Sequence, residues 1–204
     1  MERELPVSPE EALGHAPVAM TESEFMELDG YHAEWVKGVT YFMAPVTAEH
    51  DEIRNLVLTV LSLIVEEKDL GVVHGEPFGV KLYPGCMRSP DVMFISKRRV
   101  SLIRERYFEG GPDLVVEVTS VSTMAVDYRD KLADYEKAGV REYWILDPLA
   151  MTLELHRLRA GKMVRAEVKD GTVRSKVVPG FYFEEQWLRR PLPKKSALLR
   201  LMLK

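Results

Sequence analysis

The chain has 204 residues and a formal net charge of -4, enough for one domain with a substantial core and too acidic for a protein coated all round with basic surface. Its single cysteine, Cys86, excludes disulfide scaffolds and zinc–thiolate clusters and fits a reducing compartment. The opening MERELPVSPEEALGHAP has no apolar run after its charges, and no segment is long and apolar enough to span a bilayer, so the expectation is a cytoplasmic protein without membrane attachment.

Residues 1–19 carry Pro, Gly and Glu with little periodicity and read as a loose arm. Thr21 with Glu24 three residues on is a capping box opening a short helix to about Leu28. HAEWV and VTYFM flank Lys37-Gly38 as a hairpin, with Glu34 on its first strand. From Ala48 to about Lys68 the apolar set Ile53, Leu56, Val57, Val60, Leu61, Ile64 and Val65 has the spacing of a helix packed on a sheet, ended by Gly71.

VVHGEPFGVKLY and, after a PGCMRSP turn, DVMFI read as strands. Cys86 falls in that turn and is assigned no role. KRRVSLIRERYFEGG is a basic, partly helical connection to the strand of PDLVVEVTS. Ser122 or Thr123 caps a helix to about Ala138, and Gly139 stops it. EYWILD is a strand; MTLELHRL, KMVRAEV and TVRSKVV suggest an antiparallel meander. The basic tail WLRRPLPKKSALLRLMLK ends in a short amphipathic helix. The expected fold is α/β, a mixed central sheet flanked by helices with a C-terminal antiparallel extension. The expected layout is a single domain over 20–185 and a basic tail over 186–204.

Glu117 interrupts the apolar run of LVVEV. A buried carboxylate needs a cation, a hydrogen bond or a proton, so Glu117 belongs either to a structural ion pair or to a metal or acid/base site. Asp91 follows Pro90 at the start of DVMFI and taken alone could be only a strand-entry turn. Lys131 lies in DYRDKLADY beside Tyr128, Leu132 and Tyr135 by helical spacing, although most helix lysines are solvated. Asp113 shares a strand face with Glu117 by period two, and at the strand start a capping or turn role fits it best. Together Asp91, Glu117 and Lys131 suit a hard divalent ion with a lysine that orients water and offsets phosphate charge.

The ordered series PD at 90–91, PDLVVEVTSVST at 112–123, Asp127 with Lys131, and GVREYWILDP at 139–148 resembles the Uma-two family of restriction-endonuclease-like proteins in the PD-(D/E)XK nuclease superfamily. EWVKGVTYFMAP followed by His50 matches its N-terminal part, and the resemblance runs from about Thr21 to the PGF at 179–181. It implies a Mg²⁺- or Mn²⁺-dependent endonuclease acting on DNA, with Asp91 and Glu117 as metal ligands. The signature lysine is absent, since Thr119 stands in its place, and Lys131 on the next helix is the match. Glu34 would complete the metal shell through water, with His50 and Tyr135 as accessory residues near the site. His50 could equally be a helix-start residue with a structural hydrogen bond.

Two other readings stand beside this one. The chain could be a catalytically silent nuclease-fold protein that binds nucleic acid or a protein partner. It could also be a hydrolase using paired carboxylates on another bond, such as a glycosidic one. The stretch from Lys97 to Arg106 and the tail from Arg189 to Lys204 could contact phosphates, or be solvated surface or a dimer interface. Cutting both strands usually takes two active sites, so a homodimer is expected. No P-loop, dinucleotide fingerprint or Gly-x-Ser-x-Gly turn is present, so neither a nucleotide cofactor nor a serine nucleophile is expected.

Overall fold

The structure is a computed structural model that describes residues 16–28, 32–120 and 123–203. Most of the proposed arm and the alternative cap Ser122 therefore lie outside the described residues. In chain order, β1 (Val18–Ala19) leads to α1 (Glu22–Glu27), the hairpin β2 (Ala33–Val36) and β3 (Val39–Phe42), and the long helix α2 (Ala48–Glu67). Next come β4 (Gly71–Gly75), β5 (Gly79–Tyr83), β6 (Cys86–Arg88), β7 (Val92–Ser96), β8 (Tyr107–Glu109) and β9 (Leu114–Val118). A helix follows, π-wound over Val126–Lys131 and continuing as α3 (Leu132–Ala138). The chain closes with β10 (Glu142–Asp147), β11 (Thr152–Arg159), β12 (Lys162–Arg165), β13 (Thr172–Arg174), β14 (Tyr182–Glu184) and α4 (Lys195–Met202).

The local signals fold as their chemistry demands. Thr21 Oγ1 accepts the Glu24 amide while the Glu24 carboxylate takes the Thr21 amide, so the capping box is made in both directions. Lys37 and Gly38 both adopt positive φ, 51° and 83°, the turn that matches strand twist in a two-residue hairpin. Gly139 ends α3 at φ 77°.

Two six-stranded sheets result, ordered β1-β3-β2-β6-β5-β8 and β12-β11-β10-β9-β7-β4. In the second sheet β9 and β10 run parallel and the remaining pairs antiparallel. Its faces alternate in character. Leu114, Val116, Val118 and Trp144 pack under the apolar stripe of α2, where Trp144 stacks on Phe181 with ring centres 5.2 Å apart. Val115, Tyr143 and Ile145 face α3 and the first sheet. Each such large side chain withdrawn from water contributes about 1.5–3 kcal/mol. Leu198 and Met202 of α4 belong to the α2-side core.

Three expectations change. VVHGEPFGVKLY is not continuous: it breaks at Glu76-Pro77 into β4 and β5, which join different sheets, because proline has no amide for a ladder. The PGCMRSP segment holds β6, so Cys86 is a buried strand residue rather than a turn residue, and burial pushes its thiol up to about 11. The meander also stops early. β11 and β12 form a hairpin, but β13 leaves it to pair with β14 in a separate two-stranded ribbon.

Candidate active site

The chain passes between the two sheets five times, at β3–β4 through α2 and at β4–β5, β6–β7, β7–β8 and β8–β9, and the second and third crossings carry Glu76 and Asp91. Glu117 points from β9 toward the first sheet and is 2% exposed. Its Oε1 accepts the Tyr135 hydroxyl at 2.7 Å and lies 3.0 Å from Lys131 Nζ. The Asp91 amide approaches Glu117 Oε2 at 3.4 Å, and the Val118 amide donates to Asp91 Oδ2 at 2.6 Å. The two carboxylates therefore brace each other's strands. Close approach is built in at Gly75, where an added Cβ would stand 2.6 Å from the Asp91 carbonyl oxygen.

Lys131 is 4% exposed, so it is not a solvated helix residue. It contacts Asp127 Oδ1 at 3.1 Å and Glu34 Oε1 at 3.7 Å as well as Glu117. Asp127, Lys131 and Tyr135 are spaced by four. Four residues overshoot a full turn in an α-helix and fall short in the wider π turn. The change from π to α winding after Lys131 offsets the two errors and keeps all three on one side.

Glu34 is held by Arg88 Nη1 at 2.7 Å and the Ser89 amide at 3.1 Å. Arg88 also grips Asp134 at 2.5 Å. His50 Nε2 lies 3.2 Å from Asp91 Oδ2, and the His50 amide donates to the cap oxygen of Thr47. His50 thus joins a helix start to the site. Asp113 stands apart: it accepts the Ser96 amide at 2.9 Å and pairs with Arg99 and Arg141.

A cavity of about 130 Å³ opens onto His50, Glu76, Ser89, Asp91, Glu117 and Lys131. Glu34 and Tyr135 are not among its lining residues and act from behind its wall. Glu76 and Arg88 are the additions that the sequence did not suggest. Glu76 sits in a stretch that reads as a strand and Arg88 in one that reads as a turn, and neither stretch carries a signal that singles them out. Glu76 Oε2 meets His32 at 2.6 Å, and its Oε1 meets Arg54 at 3.4 Å.

The electrostatics follow from one ammonium shared among three carboxylates. Burial disfavours the Lys131 charge, but Glu117, Glu34 and Asp127 outweigh it and hold Lys131 well above the usual lysine range. Burial works to raise Glu34, and Lys131, Arg88 and the Ser89 amide outweigh it, so Glu34 is lowered and anionic. Burial pushes Glu117 well above the usual carboxylate range; Lys131 opposes this, while Asp91, Asp127 and Glu34 add to it. Asp91 is raised by burial and by Glu76 against the pull of His50. Burial acts to raise Glu76 too, but His32, Asp91 and Arg54 bring it down to about 2.

Among the described residues no three His, Cys, Asp or Glu side chains stand ready as a metal-ligand group. A hard divalent cation that keeps several waters needs only one or two carboxylates. The donor chemistry of Asp91 and Glu117 fits one, because both carboxyls are pushed up by burial and by neighbouring acids, an excess of negative character that a cation relieves.

The basic stretch from Lys97 to Arg106 is largely engaged locally. Lys97 pairs with Asp69, Arg99 with Asp113, and Arg104 with Glu109, while Arg106 donates to the Leu28 carbonyl. Arg190 of the tail pairs with Glu52. No helix among the described residues is long and apolar enough to cross a membrane.

The Uma2 family model, described as "Putative restriction endonuclease", matches residues 22–188. A solved structure from Anabaena variabilis ATCC 29413, titled as a putative nuclease belonging to DUF820, aligns with a TM-score of 0.69 at 16% identity. The alignment covers 90% of this chain and 99% of that one, a likeness of fold. A search of curated proteins found no match.

Proposed function

Since the chain belongs to the Uma2 family, we propose that it is a metal-dependent endonuclease hydrolysing phosphodiester bonds of DNA. The observation that carries this is the convergence of Asp91, Glu117 and Lys131 on one small cavity from two strands and a helix. Asp91 and Glu117 would hold Mg²⁺ or Mn²⁺. When bound, such an ion polarises a phosphoryl oxygen and lowers the pKa of water.

The protein's own groups divide the remaining work. A lysine serving as general base needs a depressed pKa, and Lys131 is held in the opposite direction. Its role is therefore to orient the attacking water and offset charge on the phosphate. Asp127 and Glu34 fix the Lys131 ammonium. Tyr135 fixes Glu117, and His50 fixes Asp91. Arg88 holds Glu34 in place from the first sheet. A groove of about 640 Å³ lined by Phe25, Phe78 and Tyr107 shares His32 and Ser89 with the cavity and offers an approach for substrate. A homodimer would present two such centres for cutting both strands.

The test is calorimetry of Mn²⁺ and Mg²⁺ binding to wild type and Asp91→Ala, followed by plasmid nicking with the same samples. Binding and metal-dependent nicking in wild type alone are expected. No binding at millimolar metal would remove the basis of the catalytic reading. Metal binding without nicking would favour a nuclease-fold binder.

A further inference from the structure

A second concave site lies on the opposite face of the second sheet. It is a cavity of about 750 Å³ bounded by β11, β12 and β13 and lined by six cationic side chains, Arg157, Arg159, Arg165, Lys169, Arg174 and Lys176. Only two carboxylates, Glu167 and Asp170, share the lining. Such a concentration runs against a chain whose formal charge is -4, and a concave wall of one sign focuses potential on whatever enters it.

Strand register shows that this is not part of the active site. Leu155 and Arg157 pair with Trp144 and Glu142, which pair in turn with Val116 and Leu114. Cross-strand partners share a face and neighbours along a strand alternate. The cavity is thus on the side of Leu114 and Val116, near the start of β9, while Glu117 faces the other way near its end.

The cations differ in how far they are committed. Arg157 is used by the fold: its Nε donates to Glu142 at 3.0 Å and its Nη2 to the Arg174 carbonyl. Arg165 pairs with Glu154 at 2.8 Å and Lys169 with Glu167 at 4.0 Å, both through exposed head groups that are weakly held. Arg174 lies over the Tyr182 ring at 4.7 Å. No ion pair is made by Arg159 or Lys176 among the described residues.

Solvated surface cations usually alternate with acids; here they gather in one hollow and repel one another. A ligand that relieves this must be compact, multiply anionic and rich in acceptors. Phosphate has that chemistry, and the guanidinium forks of Arg159, Arg165 and Arg174 match its oxygens in pairs. The volume falls in the range of ligand pockets rather than that of a single trapped ion.

We propose that the hollow between β11, β12 and β13 is a binding site for clustered phosphate groups, centred on Arg159 and Lys176. The phosphates can come from a nucleic-acid backbone or from a small phosphorylated ligand, and the assignment does not depend on the nuclease reading.

The experiment compares wild type with the Arg159→Glu/Lys176→Glu double variant in EDTA. One probe is fluorescein-labelled duplex DNA, followed by anisotropy over a range of salt. The other is inorganic pyrophosphate, followed by calorimetry. The expected result is a loss of about tenfold or more for at least one probe, and, for DNA, a slope of log affinity against log salt shallower by about 2. Loss for DNA alone identifies a nucleic-acid backbone, and loss for pyrophosphate alone a small ligand. The milder Arg159→Gln/Lys176→Gln variant must show a smaller loss in the same direction. If neither probe binds wild type, or both bind wild type and variant equally, the proposal is overturned.

Discussion

Glu117 and Glu142 are both glutamates buried in the central strands of one sheet, at 2% and 1% exposure, and they live by different rules. Glu142 is surrounded by donors: Arg157 Nε at 3.0 Å, Ser175 Oγ and the Lys176 amide at 2.8 Å, and Trp144 Nε1 at 3.3 Å. Glu117 shares its ammonium with Glu34 and Asp127 and feels the charge of Asp91. Burial alone does not separate the two. What sets Glu117 apart is competition for its counter-charge beside an open cavity.

The comparison breaks most readily at its cations and acceptors. Lys131→Ala removes the ammonium that three carboxylates share and should lower nicking on the order of 10²–10³-fold, the scale for losing one preorganised donor. Glu142→Ala should do the reverse, costing about 3–5 kcal/mol in urea unfolding by stranding Arg157, with nicking per folded molecule unchanged. If Glu142→Ala abolished nicking in folded protein, the distinction would fail.

A sharper contrast comes from pH. A carboxyl whose folded pKa is raised stabilises fully below its unfolded value, near 4.5 for Glu117, and loses that contribution as pH rises through the folded value. Metal-free wild type should therefore melt at falling temperature as pH rises through that value. Glu117→Gln should flatten the curve while abolishing metal-dependent nicking. Glu76 has the opposite sign. Lowered to about 2, it stabilises above its unfolded value of 4.5 and loses that contribution as pH falls toward 2. Glu76→Gln should remove part of the acid limb of the melting curve and leave the alkaline limb alone. The smallest effect belongs to Tyr135→Phe, which deletes one hydrogen bond to Glu117 and should cost about 1 kcal/mol in unfolding.

Much of the fold could be read along the chain because its signals are local. The α2 stripe, the Lys37-Gly38 turn, the Thr21 capping box and the Gly139 stop all act within a few residues. The failures were non-local. Nothing within HGEPFG says that its halves belong to different sheets, although Pro77 was an available warning. TVR looks as fit to pair with KMVR as with YFE, and only long-range packing decides. The candidate site divides the same way. Asp91, Glu117 and Lys131 stand out as charges in apolar patterns, and the structure brings them together. Arg88 and Glu76 acquire their significance from partners, Glu34 at sequence distance 54 and His32 across the first sheet, that no spacing rule links to them.

The path of the chain has a consequence for how the molecule tolerates change. The two six-stranded sheets share no strand, and the polypeptide stitches them together at five crossings, two of them bearing Glu76 and Asp91. The distance from these groups to Glu117 is consequently set by covalent tethers as much as by the fit of side chains. Core residues on either sheet can be exchanged for others of similar bulk, and the stitches will still deliver the same two carboxyl groups to the same seam.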